Sequence, residues 1–224
     1  MNKKSLTGAV VLFSGGQDST TCLAAAMANV EGPIYALGFD YGQRHKVELD
    51  QAKVIAQKEN IPFEILNLQH LANLTHSALT NSAIKIETPS EKQLPNTFVP
   101  GRNMLFLLYA AIYADSKGIN TLYTGVCETD YSGYPDCRQN FISSMENTVS
   151  LALDKQFTIV TPLMFLSKAE TVQLMSFYGK LDLYRYSHTC YEGMRPACGK
   201  CPACVLRLKG FHNAGINDPL EYCS

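Results

Sequence analysis

An apolar run, Val10-Val11-Leu12-Phe13, breaks abruptly into Ser14-Gly15-Gly16-Gln17-Asp18-Ser19, and a helical stretch follows from Thr20 to Asn29. A strand that hands over to a helix through so short a glycine turn belongs to a β–α unit of a parallel sheet. Gly15 and Gly16 permit backbone dihedrals and close approaches that a Cβ would block. The turn's N–H groups and the helix N-terminus then converge on a negative charge. One junction therefore constrains both the architecture and the ligand, an anion of the phosphate type.

The turn is neither of the two common phosphate loops. A Walker A sequence ends in Gly-Lys-Ser/Thr, whose lysine reaches the β/γ-phosphates; here Gln17-Asp18-Ser19 stands in that place. The third glycine of a dinucleotide fingerprint is missing as well. A carboxylate beside a polyphosphate repels it unless Mg²⁺ lies between them, and Mg²⁺ is held by one or two carboxylates with phosphate oxygens. Asp18 is therefore expected to face magnesium, Ser14 and Ser19 to donate hydroxyls to phosphate, and Phe13 through Thr20 to form the nucleotide cradle. The alternative is a plain tight turn with Ser19 as helix N-cap.

Short apolar runs alternate with helical patterns along the chain. Strands are expected at 9–13, 34–39, 62–68, 121–126 and 158–161, and helices at 20–29, 46–59, 102–117, 139–153 and 168–178. This is the signature of an α/β fold, an open parallel sheet with helices on both faces. Ligands of such sheets bind beyond the carboxyl ends of the strands, where Ser14, Asp40 and Thr124 are expected. Residues 69–100 are polar, hold Pro89, Pro95 and Pro100, and read as a cover or an oligomer contact. From about 184 the character changes, which divides the chain into a nucleotide-binding domain at 1–183 and a cysteine-rich segment at 184–224 packed on it.

That segment carries Cys190-x7-Cys198-x2-Cys201-x2-Cys204. Four thiolates so close in sequence can saturate a tetrahedral Zn²⁺ and leave no open position, so one structural zinc is expected. An iron–sulfur cluster is the competing reading. His188 could replace one ligand, though an ordinary loop histidine is favoured. The turns of the module fall to Gly199-Lys200 and Pro202-Ala203. Cys127 and Cys137 flank a polar loop with no histidine nearby in sequence to activate them.

Three further positions point at the ligand edge. Arg102, at a Pro-Gly helix entry, can bring a cation to a carboxylate or phosphate. Lys168 opens a helix that Ser167 and Glu170 cap as a box; a lysine there opposes the helix dipole and is easier to understand facing an anion. The loop 125–138 gathers Asp130, Tyr131, Tyr134, Asp136 and Arg138, which suit stacking on and reading a planar heterocycle.

The whole-chain balance argues against a large nucleic-acid footprint. The 224 residues carry a net charge of −1, which supplies no general field for nucleic acid. No apolar run reaches the roughly 20 residues of a membrane span, and no signal-peptide pattern opens the chain. Eight cysteines in such a chain read as metal ligands, catalytic thiols or buried packing residues of a cytoplasmic protein, not as a disulfide framework.

Ser14–Ser19 resembles the pyrophosphate loop of the N-type ATP pyrophosphatases. Phe13–Cys22, Thr97–Asn103 and Gly125–Arg138, with the four cysteines, are similar to the QueC family of queuosine precursor biosynthesis over about residues 8–212. The resemblance implies ATP-dependent conversion of 7-carboxy-7-deazaguanine and ammonia to 7-cyano-7-deazaguanine, through adenylated acid and amide, with release of AMP and pyrophosphate. It implies Asp18, Arg102 and Lys168 as catalytic residues, Asp130, Tyr131, Tyr134, Asp136 and Arg138 on the deazapurine, zinc on the cysteines, and a homodimer. The alternatives are a tRNA-modifying, thiolation-type adenylating enzyme and a non-catalytic nucleotide-sensing module.

Overall fold

The computed structural model describes residues 7–44, 46–87, 94–129 and 133–223. Asp130 and Tyr131 lie outside the described residues. Five strands form one parallel sheet: β1 (Ala9–Leu12), β2 (Ile34–Asp40), β3 (Phe63–Asn67), β4 (Thr121–Tyr123) and β5 (Thr158–Val160). Their order is β3-β2-β1-β4-β5, with Ala9 to Leu12 registered on Ile34 to Leu37 and Val10–Val11 on Leu122–Tyr123. The order reverses between β1 and β4, so the two crossovers diverge there and open a crevice at the strands' carboxyl ends.

Helices α1 (Gln17–Asn29), α2 (Val47–Lys58), α3 (Leu71–Leu74), α4 (Arg102–Ser116), α5 (Gln139–Ala152), α6 (Lys168–Phe177) and α7 (Pro202–Ala214) complete the fold. β1 is buried on both faces. Val10 and Leu12 pack with Leu107, Ala111 and Ile142 from α4 and α5. Ala9 and Val11 pack with Leu23, Ile55 and Val172 from α1, α2 and α6. The doubly covered parallel sheet thus follows from an uninterrupted apolar strand, which a half-exposed sheet would not tolerate. Among the described residues no helix is long and apolar enough to cross a membrane.

Three local readings change. α1 begins at Gln17 with Gly16 as N-cap, not at Thr20. Asp18 and Ser19 therefore sit in the first helical turn, and the plain Ser19 cap is ruled out. β4 stops at Tyr123, short of the expected 126, and frees Thr124–Cys127 to line the crevice. Pro202-Ala203 is no turn but the start of α7, with Pro202 at its first position, where the missing N–H has no partner to lose. Near the expected boundary at 184 the packing is continuous: Tyr184 and Phe211 lie in the same core as α1 and α6.

Candidate active site

The crevice is a cleft of about 1220 Å³ at the carboxyl ends of the strands, and it brings together residues from position 12 to position 209. Its floor is the β1–α1 turn. Gly15 adopts φ +80°, and a Cβ there would lie 2.4 Å from Glu48 O and 2.7 Å from Ala52 N. Only glycine lets this turn seat on α2. Ser14 N–H donates to Ser19 Oγ (3.2 Å), Gly16 N–H donates to Ser14 Oγ (3.3 Å), and the two hydroxyls are 3.1 Å apart. The turn is also held from outside, since His188 N–H donates to Gly15 O at 2.8 Å. Gly16 caps α1 without a side chain, and helix geometry leaves the N–H groups of Gln17, Asp18 and Ser19 without an intrahelical carbonyl. Three N–H groups and the positive helix end therefore meet at the cleft.

Ser14, Gly16, Gln17, Asp18 and Ser19 line the cleft, as does Phe13, whose ring packs edge-on against Phe63. Thr20 does not: it is fully buried, and its hydroxyl donates back to Gly16 O at 2.7 Å. Gly125, after β4, crosses so close that a Cβ would meet Asp18 Cβ at 3.2 Å.

Asp18 and Lys168, 150 residues apart, form a two-pronged ion pair. Lys168 Nζ donates to Oδ1 at 2.8 Å and to Oδ2 at 2.7 Å. The lysine sits at the first position of α6, which the Ser167–Glu170 capping box starts as expected. Gly210 permits this arrangement, because a Cβ on it would lie 2.8 Å from Lys168 Cβ.

The second half of the cleft surrounds Arg102. Gly101 at φ +75° caps α4 and turns Arg102 inward, where its guanidinium lies 5.7 Å from the Tyr41 ring centre and 5.9 Å from that of Tyr134. Burial opposes its charge, but Tyr41, Tyr134, Asp136 and Cys137 outweigh burial and hold its pKa above the ordinary value. Arg102 Nε and Gln17 Nε2 are buried on the cleft wall with no hydrogen-bond partner among the described residues. Buried donors without a protein acceptor are rare; Arg44 Nε is a third, and it lies outside the cleft lining.

Tyr134 lines the cleft and shares a 2.6 Å hydrogen bond with Thr97 Oγ1. Asp136 and Arg138 are placed differently from the expectation. Asp136 is buried behind the wall, where it accepts Asn103 N–H in the first turn of α4 (3.3 Å). Arg138 is exposed at the start of α5. Both lie outside the cleft lining.

Several wall residues escaped the sequence reading. Phe39 and Phe106 stack with centres 4.1 Å apart, Tyr41 tilts against Phe106, and Glu48 projects beside them. Burial pushes the Glu48 carboxyl up to about 7, against the opposing pull of Arg102 and a hydrogen bond from Gln43. The Asp-Tyr-Gly-Gln run at the end of β2 was the signal for this side of the cleft.

The thiols on the wall are not poised for attack. Burial, with the nearby Asp136 charge, pushes the Cys137 thiol up to about 12 against the pull of Arg102; Cys127 Sγ donates to Leu166 O at 3.2 Å. A nucleophilic cysteine needs the opposite environment.

Beyond the cleft, the sulfurs of Cys190, Cys198, Cys201 and Cys204 all lie within 4.8 Å of one another and could hold a metal ion. Backbone N–H groups of Tyr191, Cys198, Lys200 and Cys201 point at these sulfurs at 3.3–3.5 Å. His188 does not replace any of the four: among the described residues the group is made of these cysteines alone, and His188 Nε2 lies 2.9 Å from Cys190 O.

Comparison with known proteins agrees with this geometry. Residues 8–215 match the family described as Queuosine biosynthesis protein QueC. A 7-cyano-7-deazaguanine synthase from Chromobacterium violaceum is 48% identical over 100% of this chain and 97% of its own length. One from Laribacter hongkongensis is 49% identical over 95% of this chain and 93% of its own. The U34-tRNA thiolase NcsA from Methanococcus maripaludis, solved with its [4Fe-4S] cluster, is only 14% identical at a TM-score of 0.49, covering 94% of this chain and 68% of that one; nothing about function follows from it. By the reach of the family match and by identity near one half along its whole length, the chain belongs to the QueC family.

Proposed function

We propose that this chain is an ATP-dependent ligase that makes 7-cyano-7-deazaguanine from 7-carboxy-7-deazaguanine and ammonia. The observation that carries the reading is a single cleft holding a phosphate turn that lacks the Walker lysine and, on another wall, a half-buried arginine between tyrosine rings. A cradle without the P-loop lysine suits attack at the α-phosphate, with pyrophosphate as the group held and released. The substrate carboxylate oxygen attacks the α-phosphorus, and the bond to pyrophosphate breaks. Ammonia then adds to the acyl carbon, AMP leaves, and an amide forms. The amide oxygen attacks a second ATP in the same way; the nitrogen then loses its protons as AMP departs, and the nitrile remains.

In this scheme the N–H groups of Gln17, Asp18 and Ser19 and the hydroxyls of Ser14 and Ser19 hold the pyrophosphate. Lys168 supplies positive charge beside it, and Arg102 holds the carboxylate or the α-phosphate. Asp18 is the acid that would hold the Mg²⁺ arriving with ATP, and the ion would offset the charge of the phosphates there. Positioning and charge stabilisation are the protein's main contributions. Tyr134 borders the base, while Asp136 orients Arg102 through the start of α4.

The cysteine cluster fits one structural zinc. Zinc–sulfur bonds of about 2.3 Å set tetrahedral sulfur–sulfur edges of ~3.8 Å, which sulfurs already within 4.8 Å of one another reach by small adjustment. An iron–sulfur cluster spreads its cysteines over separate irons and needs a wider opening. When bound, the zinc supplies cross-linking to a segment with a small core of its own. A cytoplasmic homodimer using free ammonia, with no nucleic-acid partner, completes the proposal.

Purified zinc-loaded protein with Mg-ATP, ammonium and 7-carboxy-7-deazaguanine is the test, read by mass spectrometry. AMP with the nitrile supports the reading. AMP formed only when tRNA is added, or ADP as the nucleotide product, overturns it.

A further inference from the structure

Glu48 is a charge the scheme above leaves unused, and its setting is built. It lies in the first turn of α2, whose backbone packs directly against the phosphate turn at Gly15. Gln43, buried, holds the side chain in place. Its Oε1 accepts Tyr41 N–H at 2.9 Å, and its Nε2 donates to Phe39 O at 3.1 Å and to Glu48 Oε1 at 3.4 Å. Both neighbours on this run, Phe39 and Tyr41, flank Phe106 as an aromatic wall.

A carboxylate withdrawn from water is costly unless donors meet it. Gln43 offers one N–H, and a carboxylate can accept about four hydrogen bonds. Acceptor capacity is thus left facing a cleft that is walled for a flat ring. The two purines this enzyme handles differ at their Watson–Crick edges. Adenine alternates an acceptor with a donor. A 7-deazaguanine presents N1–H and the 2-amino group side by side, two donors that match the two oxygens of one carboxylate.

We propose that Glu48, oriented by Gln43, reads the N1–H and 2-amino edge of the deazapurine and so sets the enzyme's specificity for a guanine-type base. This rests on the substrate class proposed above. Glu48 is here a binding residue for the base and takes no part in the transfer of adenylate.

The test compares 7-carboxy-7-deazaguanine with the analogue lacking the 2-amino group, 7-carboxy-7-deazahypoxanthine, in the parent, Glu48→Gln and Glu48→Asp enzymes. The parent should prefer the amino-bearing base by about 10- to 100-fold in kcat/KM, the worth of a hydrogen bond to a charged group. Glu48→Gln should lose most of that preference, within about threefold, through KM for the base, with KM for ATP unchanged. Glu48→Asp, which keeps the charge, should bind both bases more weakly and retain the preference. A preference that survives in Glu48→Gln while kcat falls would mean a proton-transfer role and overturn the proposal. So would a change confined to KM for ATP. If the parent makes no nitrile from either base, the reading of the reaction fails; calorimetric binding of the same two bases to the three proteins then decides Glu48 by the same ratio.

Discussion

Arg207 and Asp218 allow the most quantitative prediction. Their side chains are 1% and 4% exposed, and the guanidinium uses all five of its N–H donors. Nε and Nη2 donate to the two Asp218 oxygens at 2.7 and 2.8 Å. The others reach Ser187 Oγ (2.7 Å), Thr189 Oγ1 (3.1 Å) and Tyr184 O (3.1 Å). Asp218 also accepts Tyr222 Oη at 2.7 Å and Leu220 N–H at 3.0 Å. Asp218→Ala leaves a buried cation with two unmet donors and strands two more on the tail. Breaking a buried pair from one side costs about 3–5 kcal/mol, which for a chain of this size lowers Tm by about 6–20 °C.

The loss should also reach the active site. Arg207 anchors the segment from Tyr184 to Thr189, and His188 in that segment holds Gly15 O. KM for ATP should therefore rise in Asp218→Ala at temperatures where the variant remains folded. The joint Arg207→Leu, Asp218→Leu variant removes both charges and should lie closer to the parent than the Asp218→Ala single, since an apolar replacement of a buried pair is often neutral. Urea unfolding of all three, with an ATP titration, measures this. An Asp218→Ala stability within about 1 kcal/mol of the parent, or a double variant less stable than the single, would falsify the reasoning.

Other outcomes follow from the same contacts. Gly15→Ala should abolish ATP binding, because a left-handed φ and a backbone oxygen 2.4 Å from the new Cβ force the turn off α2; unchanged ATP affinity by calorimetry would refute this. Lys168→Met and Asp18→Asn should each lower adenylation by about 10²–10³-fold, as removal of a charge-stabilising group does, with zinc content unchanged; normal pyrophosphate release would count against both roles. Chelation, or Cys204→Ser, should remove one zinc per chain and lower Tm, which metal analysis and a melt check together. The Glu48 carboxyl is raised in the fold to about 7 from an ordinary 4.5. Its contribution is therefore most favourable below the unfolded value and is lost as pH rises through about 7. Glu48→Gln should accordingly gain stability relative to the parent between pH 5 and pH 8; a flat difference across that window sinks the assignment of a raised carboxyl.

The sequence by itself determined the β1–α1 phosphate turn, the five strands with their intervening helices, the Ser167–Glu170 box and the set of four cysteines. Each is written in consecutive or closely spaced residues, where dihedral preference, capping and ligand spacing act locally. α7 was missed although Pro202 at its start and Gly215 beyond its end carried the signal, because the close cysteines read as a looped metal module. Asp136 looked like a ligand contact because its loop is polar; only packing turned its carboxylate to the start of α4. Glu48 is the one residue of α2 on the cleft wall, a placement set only when the helix packs against the turn at Gly15. Lys168 and Asp18 meet across 150 residues because β4 and β5 follow β1 in the sheet. Local chemistry writes the elements, but burial and charge pairing depend on which strand ends lie side by side, and no short stretch of chain contains that distance.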